Sequence, residues 1–179
     1  MPPHAKYARI ECERRFLLEG FPGTAKVARI RHITDRYLDG TRLRLREQRD
    51  EGGQTVFKLT QKVPMRASGA QQGWITTMYV TQEEFRVLSR LSAKTLTKTR
   101  YSVPPFGIDV FEGTLEGLVL AEAEFDSSTA AAALTLPSFI VREVTEDDRF
   151  TGGRLVEASR QDILTWLLDY GIALTATPL

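Results

Sequence analysis

Five segments of this chain carry charged side chains at every second position, the spacing of an extended strand whose two faces differ. Ile10-Glu11-Cys12-Glu13-Arg14-Arg15-Phe16 sets Glu11, Glu13 and Arg15 on one face, and Thr41-Arg42-Leu43-Arg44-Leu45-Arg46 sets three arginines opposite two leucines. Phe57-Lys58-Leu59-Thr60-Gln61-Lys62 groups Lys58, Thr60 and Lys62, Lys98-Thr99-Arg100 adds a cationic pair, and Ala121-Glu122-Ala123-Glu124-Phe125 a carboxylate pair. Two arrangements satisfy this pattern. The charged faces are solvated, with Leu, Phe and Ala packed inside, as in ordinary antiparallel sheets. Alternatively, the sheet closes on itself with its apolar face outward and a charged lumen. Only the first segment mixes signs; the others sort by strand into cations or carboxylates. That sorting favours the lumen. Arginines and lysines facing one another inside a barrel repel and lose solvation, so such a lumen calls for a polyanion gripped by guanidinium and ammonium groups. The carboxylate pairs do not attract that anion, but they suit a hard divalent cation bridging them to phosphate oxygens. Phosphate with Mg²⁺ or Mn²⁺ is the chemistry these residue types indicate.

The rest of the pattern is mostly strand. Candidates are 7–18, 26–38, 41–49, 54–63, 73–81, 96–103, 107–112, 117–125 and 140–150, separated by turn signals such as Phe21-Pro22-Gly23, Asp39-Gly40 and Glu51-Gly52-Gly53. Thr81-Gln82-Glu83-Glu84 reads as a capping box opening a helix over 82–92, with Phe85, Leu88 and Leu91 at helical spacing. Asp126-Ser127-Ser128 predicts a short helix over 128–134, and Ser159 a last helix through Ile163, Trp166 and Leu167 that ends before Gly171. No linker separates two domains, so residues 1–179 are expected to form one.

Composition narrows the function classes. The 179 residues are 42% hydrophobic and 26% charged, a globular balance, and no stretch is long and apolar enough to span a bilayer. The start, Met-Pro-Pro-His-Ala-Lys, lacks the apolar core of a signal peptide, and the single cysteine, Cys12, excludes an intrachain disulfide, so a cytoplasmic setting is expected. Net charge is +1, but residues 1–66 hold 15 Lys+Arg against 8 Asp+Glu, whereas 67–179 hold 9 against 15. A nucleic-acid arm would explain that split, yet Arg42, Arg44 and Arg46 are interleaved with leucines rather than stacking aromatics, which disfavours nucleic acid. Cys12, Trp74 and Trp166 read as packing residues, and His4 and His32 show no ligand spacing and no evident role.

In order along residues 10–150, the chain resembles the CYTH family, the triphosphate tunnel metalloenzymes. The family's Glu-x-Glu-x-Lys signature is similar to Glu11-Cys12-Glu13-Arg14-Arg15, and its later motifs to Tyr37-Leu38, Arg44-Leu45-Arg46, Leu59-Thr60-Gln61-Lys62, Lys98-Thr99-Arg100-Tyr101, Ile108-Asp109-Val110-Phe111, Gly117-Leu118, Ala121-Glu122-Ala123-Glu124 and Glu143-Val144-Thr145-Glu146-Asp147. The resemblance implies a mainly β, α+β fold: an eight-stranded antiparallel closed tunnel with a few flanking helices. It implies that Arg44, Arg46, Lys62, Lys98 and Arg100 hold a triphosphate, with Lys58 on the same face. It also implies that Glu11, Glu13 and Arg15 are catalytic, and that Glu11, Glu13, Glu122, Glu124 and Glu143 hold Mg²⁺ or Mn²⁺.

Three departures stand out. Arg15 replaces the family's Lys, and Gly152-Gly153 sits where the family often has Asn. The family's Arg-x-Glu-x-Glu strand reads Trp74-Ile75-Thr76-Thr77-Met78-Tyr79-Val80, so its charged positions fall on Ile75, Thr77 and Tyr79. The function expected is metal-dependent hydrolysis of a triphosphate-containing small molecule. The alternatives are a triphosphate-, polyphosphate- or nucleotide-binding module without turnover, which the uncharged strand favours, and a class IV-type adenylyl cyclase, for which the sequence marks no adenine site.

Overall fold

The computed structural model describes residues 6–65 and 70–174, with the side chains of Gln71 and Gln72 left aside; His4 and the rest of the opening five residues lie outside the described residues. Among the described residues nine strands form one antiparallel sheet: β1 (Arg9–Leu18), β2 (Arg29–Leu38), β3 (Leu43–Asp50), β4 (Thr55–Pro64), β5 (Gln71–Val80), β6 (Ala93–Val103), β7 (Phe106–Phe111), β8 (Val119–Glu124) and the short β9 (Arg142–Glu143). The order is β5-β4-β3-β2-β6-β7-β8-β1-β9, and β5 also pairs with β1. That pairing closes the first eight strands into the expected barrel. β1 serves two partners on one side: Arg9–Cys12 lie against β5, and Phe16–Leu17 against β9. The register shifts between Glu11 and Cys12, a bulge at the seam. Gly73 sits at the same seam with φ +150°, and a Cβ there would lie 2.4 Å from the Val63 carbonyl oxygen, so only glycine lets β4 and β5 approach this closely.

Alternation gives the barrel two chemically distinct faces. Outward, Phe16, Leu18, Phe106, Ile108, Val119, Ala121 and Ala123 are buried beneath Leu134, Phe139 and Ile140, with Phe16 and Phe139 edge-on to Phe106 at 5.9 and 6.0 Å. Helix α1 (Gln82–Leu88) packs Phe85 on Phe57 of β4, ring centroids 4.6 Å apart. Helix α2 (Ser128–Ala132) is tied to β1 by Arg14, whose Nη1 donates to the Ala131 carbonyl at 2.9 Å. Inward, Leu17, Leu96, Phe111 and Leu120 fill one end of the barrel and pack against Phe150, Leu155 of α3 (Gly152–Leu155), and Ile163 and Leu167 of α4 (Arg160–Leu168). The C-terminal helices therefore seal that end with an apolar cap.

Both capping boxes form: Thr81 with Glu84, and Ser159 with Asp162. Helix α1 ends at Leu88 rather than 92, where the Ser89 hydroxyl donates to the Phe85 carbonyl at 2.7 Å. The strand expected over 140–150 is corrected to two residues. Past Glu143, the Thr145 hydroxyl accepts the Arg15 N–H at 3.1 Å and the Asp147 carboxylate accepts the Arg149 N–H at 3.0 Å, and the latter contact opens a 3-10 turn over Asp148–Phe150. Helix α3 follows without a sequence expectation. Trp166 packs on Phe150 at 6.2 Å as a core residue should, and Cys12 is buried.

The apolar cap carries much of the sealed end's stability. Ile163→Ala, at a fully buried position, is expected to destabilise the fold by about 2–5 kcal/mol in urea unfolding, the range for a deleted core side chain.

Candidate active site

The inward positions above the cap line one cavity of about 1270 Å³. It gathers Glu11, Glu13 and Arg15 from β1, Arg44 and Arg46 from β3, Lys58 and Lys62 from β4, Lys98 and Arg100 from β6, and Glu122 and Glu124 from β8. All but one of the residues expected at the site thus meet in a single lumen. The exception is Glu143. It sits on β9 outside the cavity lining, where Arg14 donates to its two oxygens at 2.9 and 2.5 Å and the Thr145 hydroxyl donates at 2.6 Å. The Arg14 hydrogen bond is the main cause holding its carboxyl below the usual range.

Two carboxylates missing from the sequence expectation organise the cations. Asp35, on the inner face of β2, accepts Arg46 Nε and Nη2 at 2.6 and 2.7 Å and lies 3.5 Å from Arg44 Nε. Asp109, on β7 and fully buried, accepts Arg100 Nε and Nη2, each at 2.6 Å, and pairs with Lys98. Burial alone would raise the Asp35 carboxyl, but Arg46 and Arg44 overcome it and hold it far below the ordinary range. Both acids sit on the inward phase of the strand alternation, and that phase was the available signal: Asp35 faces Arg46 across β2–β3, and Asp109 faces Arg100 across β6–β7.

On the opposite wall, Glu11 pairs with Lys62 at 2.7 Å and Glu13 with Arg15 at 2.7 Å, while Glu122 pairs with Arg100. Glu122 is held low by Arg100, Lys98 and Lys62 against the effect of its burial. Glu13 moves the other way: burial first, then the Glu122 and Glu11 charges, raise its carboxyl, with Lys62 and Arg15 opposing. Glu124 stands at an exposed rim position, 3.6 Å from Arg9. Trp74, expected in the core, is half-buried and lines the cavity. The neutral β5 face is confirmed as lumen wall: Ile75, Thr77 and Tyr79 all line it, and the Thr77 hydroxyl meets that of Thr60 at 3.1 Å. At the other edge Tyr37 reaches toward Gly152, where a Cβ would lie 2.0 Å from its hydroxyl. A side chain such as Asn at 152 would therefore clash with Tyr37.

Among the described residues no three His, Cys, Asp or Glu side chains form a ready-made metal cage. The donor set nonetheless suits a divalent cation. Glu11, Glu13 and Glu122 offer hard oxygens, and a dication relieves both the burial and the Glu122 and Glu11 repulsion that raise Glu13.

A closed antiparallel barrel whose lumen sets buried cations against carboxylates defines an anion-binding tunnel protein. No family model matches the chain. The inorganic triphosphatase of Nitrosomonas europaea is 35% identical over 150 residues, spanning 78% of this chain and 92% of that protein. Two crystal structures of NE1496, one described as a hypothetical protein and one as an inorganic triphosphatase, share the fold with TM-scores of 0.54. They are 28% and 26% identical to the chain, and the matches cover 83% and 84% of it and 99% and 96% of theirs. The chain belongs to the CYTH family of triphosphate tunnel metalloenzymes.

Two outcomes test the electrostatics. Asp109→Asn leaves Lys98 and Arg100 buried without their shared acid and is expected to destabilise the fold by about 3–5 kcal/mol in urea unfolding. For Glu13, the raised folded-state carboxyl means its stabilising contribution is full below the unfolded value of about 4.3 and is lost as pH rises through the folded value. Glu13→Gln, which keeps an acceptor for Arg15, is therefore expected to gain melting temperature relative to the unmodified chain between pH 5 and pH 8 in chelator. An unchanged difference across that window refutes it.

Proposed function

We propose that this chain is a divalent-metal-dependent triphosphatase that hydrolyses the terminal phosphoanhydride of inorganic triphosphate or an organic triphosphate. The observation carrying this reading is the single lumen in which Arg44, Arg46, Lys62, Lys98 and Arg100 face Glu11, Glu13 and Glu122. Cations of this density, pinned by buried acids, are arranged before a substrate arrives, so they stabilise charge on phosphate oxygens without reorganising. The guanidinium planes of Arg44, Arg46 and Arg100 match two phosphate oxygens at a time, while Lys62 and Lys98 act as point charges. The similarity to an inorganic triphosphatase supports the same substrate class.

Glu11, Glu13 and Glu122 would hold Mg²⁺ or Mn²⁺, hard cations that suit an all-carboxylate donor set. Such an ion supplies positive charge to phosphate oxygens beyond what the arginines provide. Water attacks the terminal phosphorus in line with the bridging oxygen, giving phosphate and diphosphate. Glu13, one oxygen of which Arg15 fixes at 2.7 Å, orients that water, and the water's proton leaves with the phosphate product. The apolar cap keeps one end of the lumen dry, which strengthens each of these interactions.

Residues 1–179 are read as one catalytic domain, and the lone cysteine fits a reducing cytoplasm. Among the described residues no helix is long and apolar enough to cross a membrane. A non-hydrolysing phosphate binder is the second reading, favoured by the uncharged Ile75, Thr77 and Tyr79 wall.

Phosphate release from triphosphate, thiamine triphosphate and ATP, each with Mg²⁺, Mn²⁺ or chelator, decides between them. Metal-dependent release is expected, and Glu11→Gln with Glu13→Gln is expected to lower it by roughly two orders of magnitude. Triphosphate affinity without metal should hold or rise in that variant, because the lumen becomes more positive. Binding without release in the unmodified chain identifies a binder.

A further inference from the structure

The charges of the lumen are not balanced evenly along its length. Arg46 and Arg44 share Asp35, Lys98 and Arg100 share Asp109, and Lys62 has Glu11. Lys58 and Arg31 differ: among the described residues neither forms a salt bridge. Lys58 lines the cavity, stands beside Arg46 across β3–β4 and faces Tyr79 across β4–β5. Arg31, which is not among the residues lining the cavity, has the inward phase of Asp35 on β2 and lies beside Arg100 across β2–β6. Its Nη1 donates to the Ser102 hydroxyl at 3.1 Å, while its Nε is buried without a hydrogen bond. The acid nearest in register, Asp50, is engaged by Arg29 at 2.6 Å.

Other cations press on both. Lys58 is held below its ordinary pKa by burial and then by Arg46, Arg31, Arg44 and Arg100. Arg31 is lowered by burial, then by Arg29 and Arg100, with Asp50 opposing. Cations lowered by other cations describe a place where an anion is missing. Tyr79 explains why no acid supplies it. On the family pattern that position carries a glutamate; here an exposed phenol ring lies beneath the ammonium, 5.2 Å from Lys58 Nζ to the ring centroid. Lys58 lies four residues from Lys62 along β4, about 13 Å at strand rise, which is longer than the phosphorus chain of a triphosphate.

We propose that Arg31 and Lys58 form an outer anion subsite, which takes the fourth and later phosphates of a linear inorganic polyphosphate whose last three occupy the inner cradle. The proposal rests on reading the cavity as a phosphoanhydride site. The planar guanidinium of Arg31 suits the paired non-bridging oxygens of an internal phosphate, and the Lys58 ammonium, on its flexible stem, adapts to the next one.

The test is calorimetric titration of the full chain, without metal, by triphosphate, linear tetraphosphate and ATP. Tetraphosphate is expected to bind about tenfold more tightly than triphosphate, the worth of one additional charged contact. Arg31→Gln with Lys58→Gln should bring that ratio near unity. Tyr79→Glu should do the same by returning a carboxylate opposite Lys58, and melting curves verify that each variant is folded. Equal affinities in the unmodified chain, or variants that weaken both ligands alike, overturn the outer subsite while leaving the triphosphatase reading in place. ATP binding more tightly than tetraphosphate, with the gain lost in Tyr79→Ala, also overturns it and assigns this end to an aromatic organic group. A chain that binds none of the three overturns both readings.

Discussion

Asp35 and Asp109 are almost wholly removed from solvent, and each holds two cations that would otherwise repel inside a closed barrel. An isolated buried guanidinium or ammonium is costly, and two facing one another more so; a shared, bidentate carboxylate makes the arrangement tenable. The same contacts set the direction of the remaining donors. Arg46 and Arg100 each commit Nε and Nη2 to a carboxylate, so Nη1 is the edge left for an anion. The two acids that make the buried cations tenable therefore also fix the direction of their free donors.

The sealed end follows from the same alternation. Along β1 the inward phase runs Glu11, Glu13, Arg15 and then Leu17; along β6 Leu96 precedes Lys98 and Arg100; along β8 Leu120 precedes Glu122. On three strands the chemistry switches from apolar to charged at one residue step, so the lumen is an ion-pair chamber resting on a hydrophobic floor. Helices α3 and α4 cover that floor with Leu155, Ile163 and Leu167. Water excluded from the floor lowers the local dielectric beneath Lys98 and Asp109, which makes their pairing stronger and the loss of either partner more damaging.

The barrel and most of its lumen were legible because a period-two charge pattern has few explanations, and because sign sorting by strand argues for an interior. Asp35 and Asp109 escaped for a physical reason. Each is a single acid on its strand face, so no repeated pattern marks it, and its role exists only across a strand pair. Glu143 was misplaced for the converse reason. Its motif matches in sequence, but the strand there pairs for only two residues, and Arg14, an outward residue of β1, captures its carboxylate. Helix α3 had no signal to read, since Gly152-Gly153 carries no helix propensity and the turn is set by packing on Tyr37 and Phe150.

The uncharged β5 wall alters the balance of the lumen more than its capacity for anions. Relative to the family pattern, Ile75, Thr77 and Tyr79 remove one cation and two carboxylates, so the net charge facing an anion becomes more positive. What is lost is acid. On the proposed reading, the burden of holding a dication falls on β1 and β8, where Glu11, Glu13 and Glu122 are already partnered by Lys62, Arg15 and Arg100. A metal entering this lumen must compete with those cations for the same oxygens. On the proposed reading, a bound phosphate chain would ease that competition by drawing Lys62 and Arg100 toward itself, so that anion and metal would favour each other's binding through the carboxylates they free.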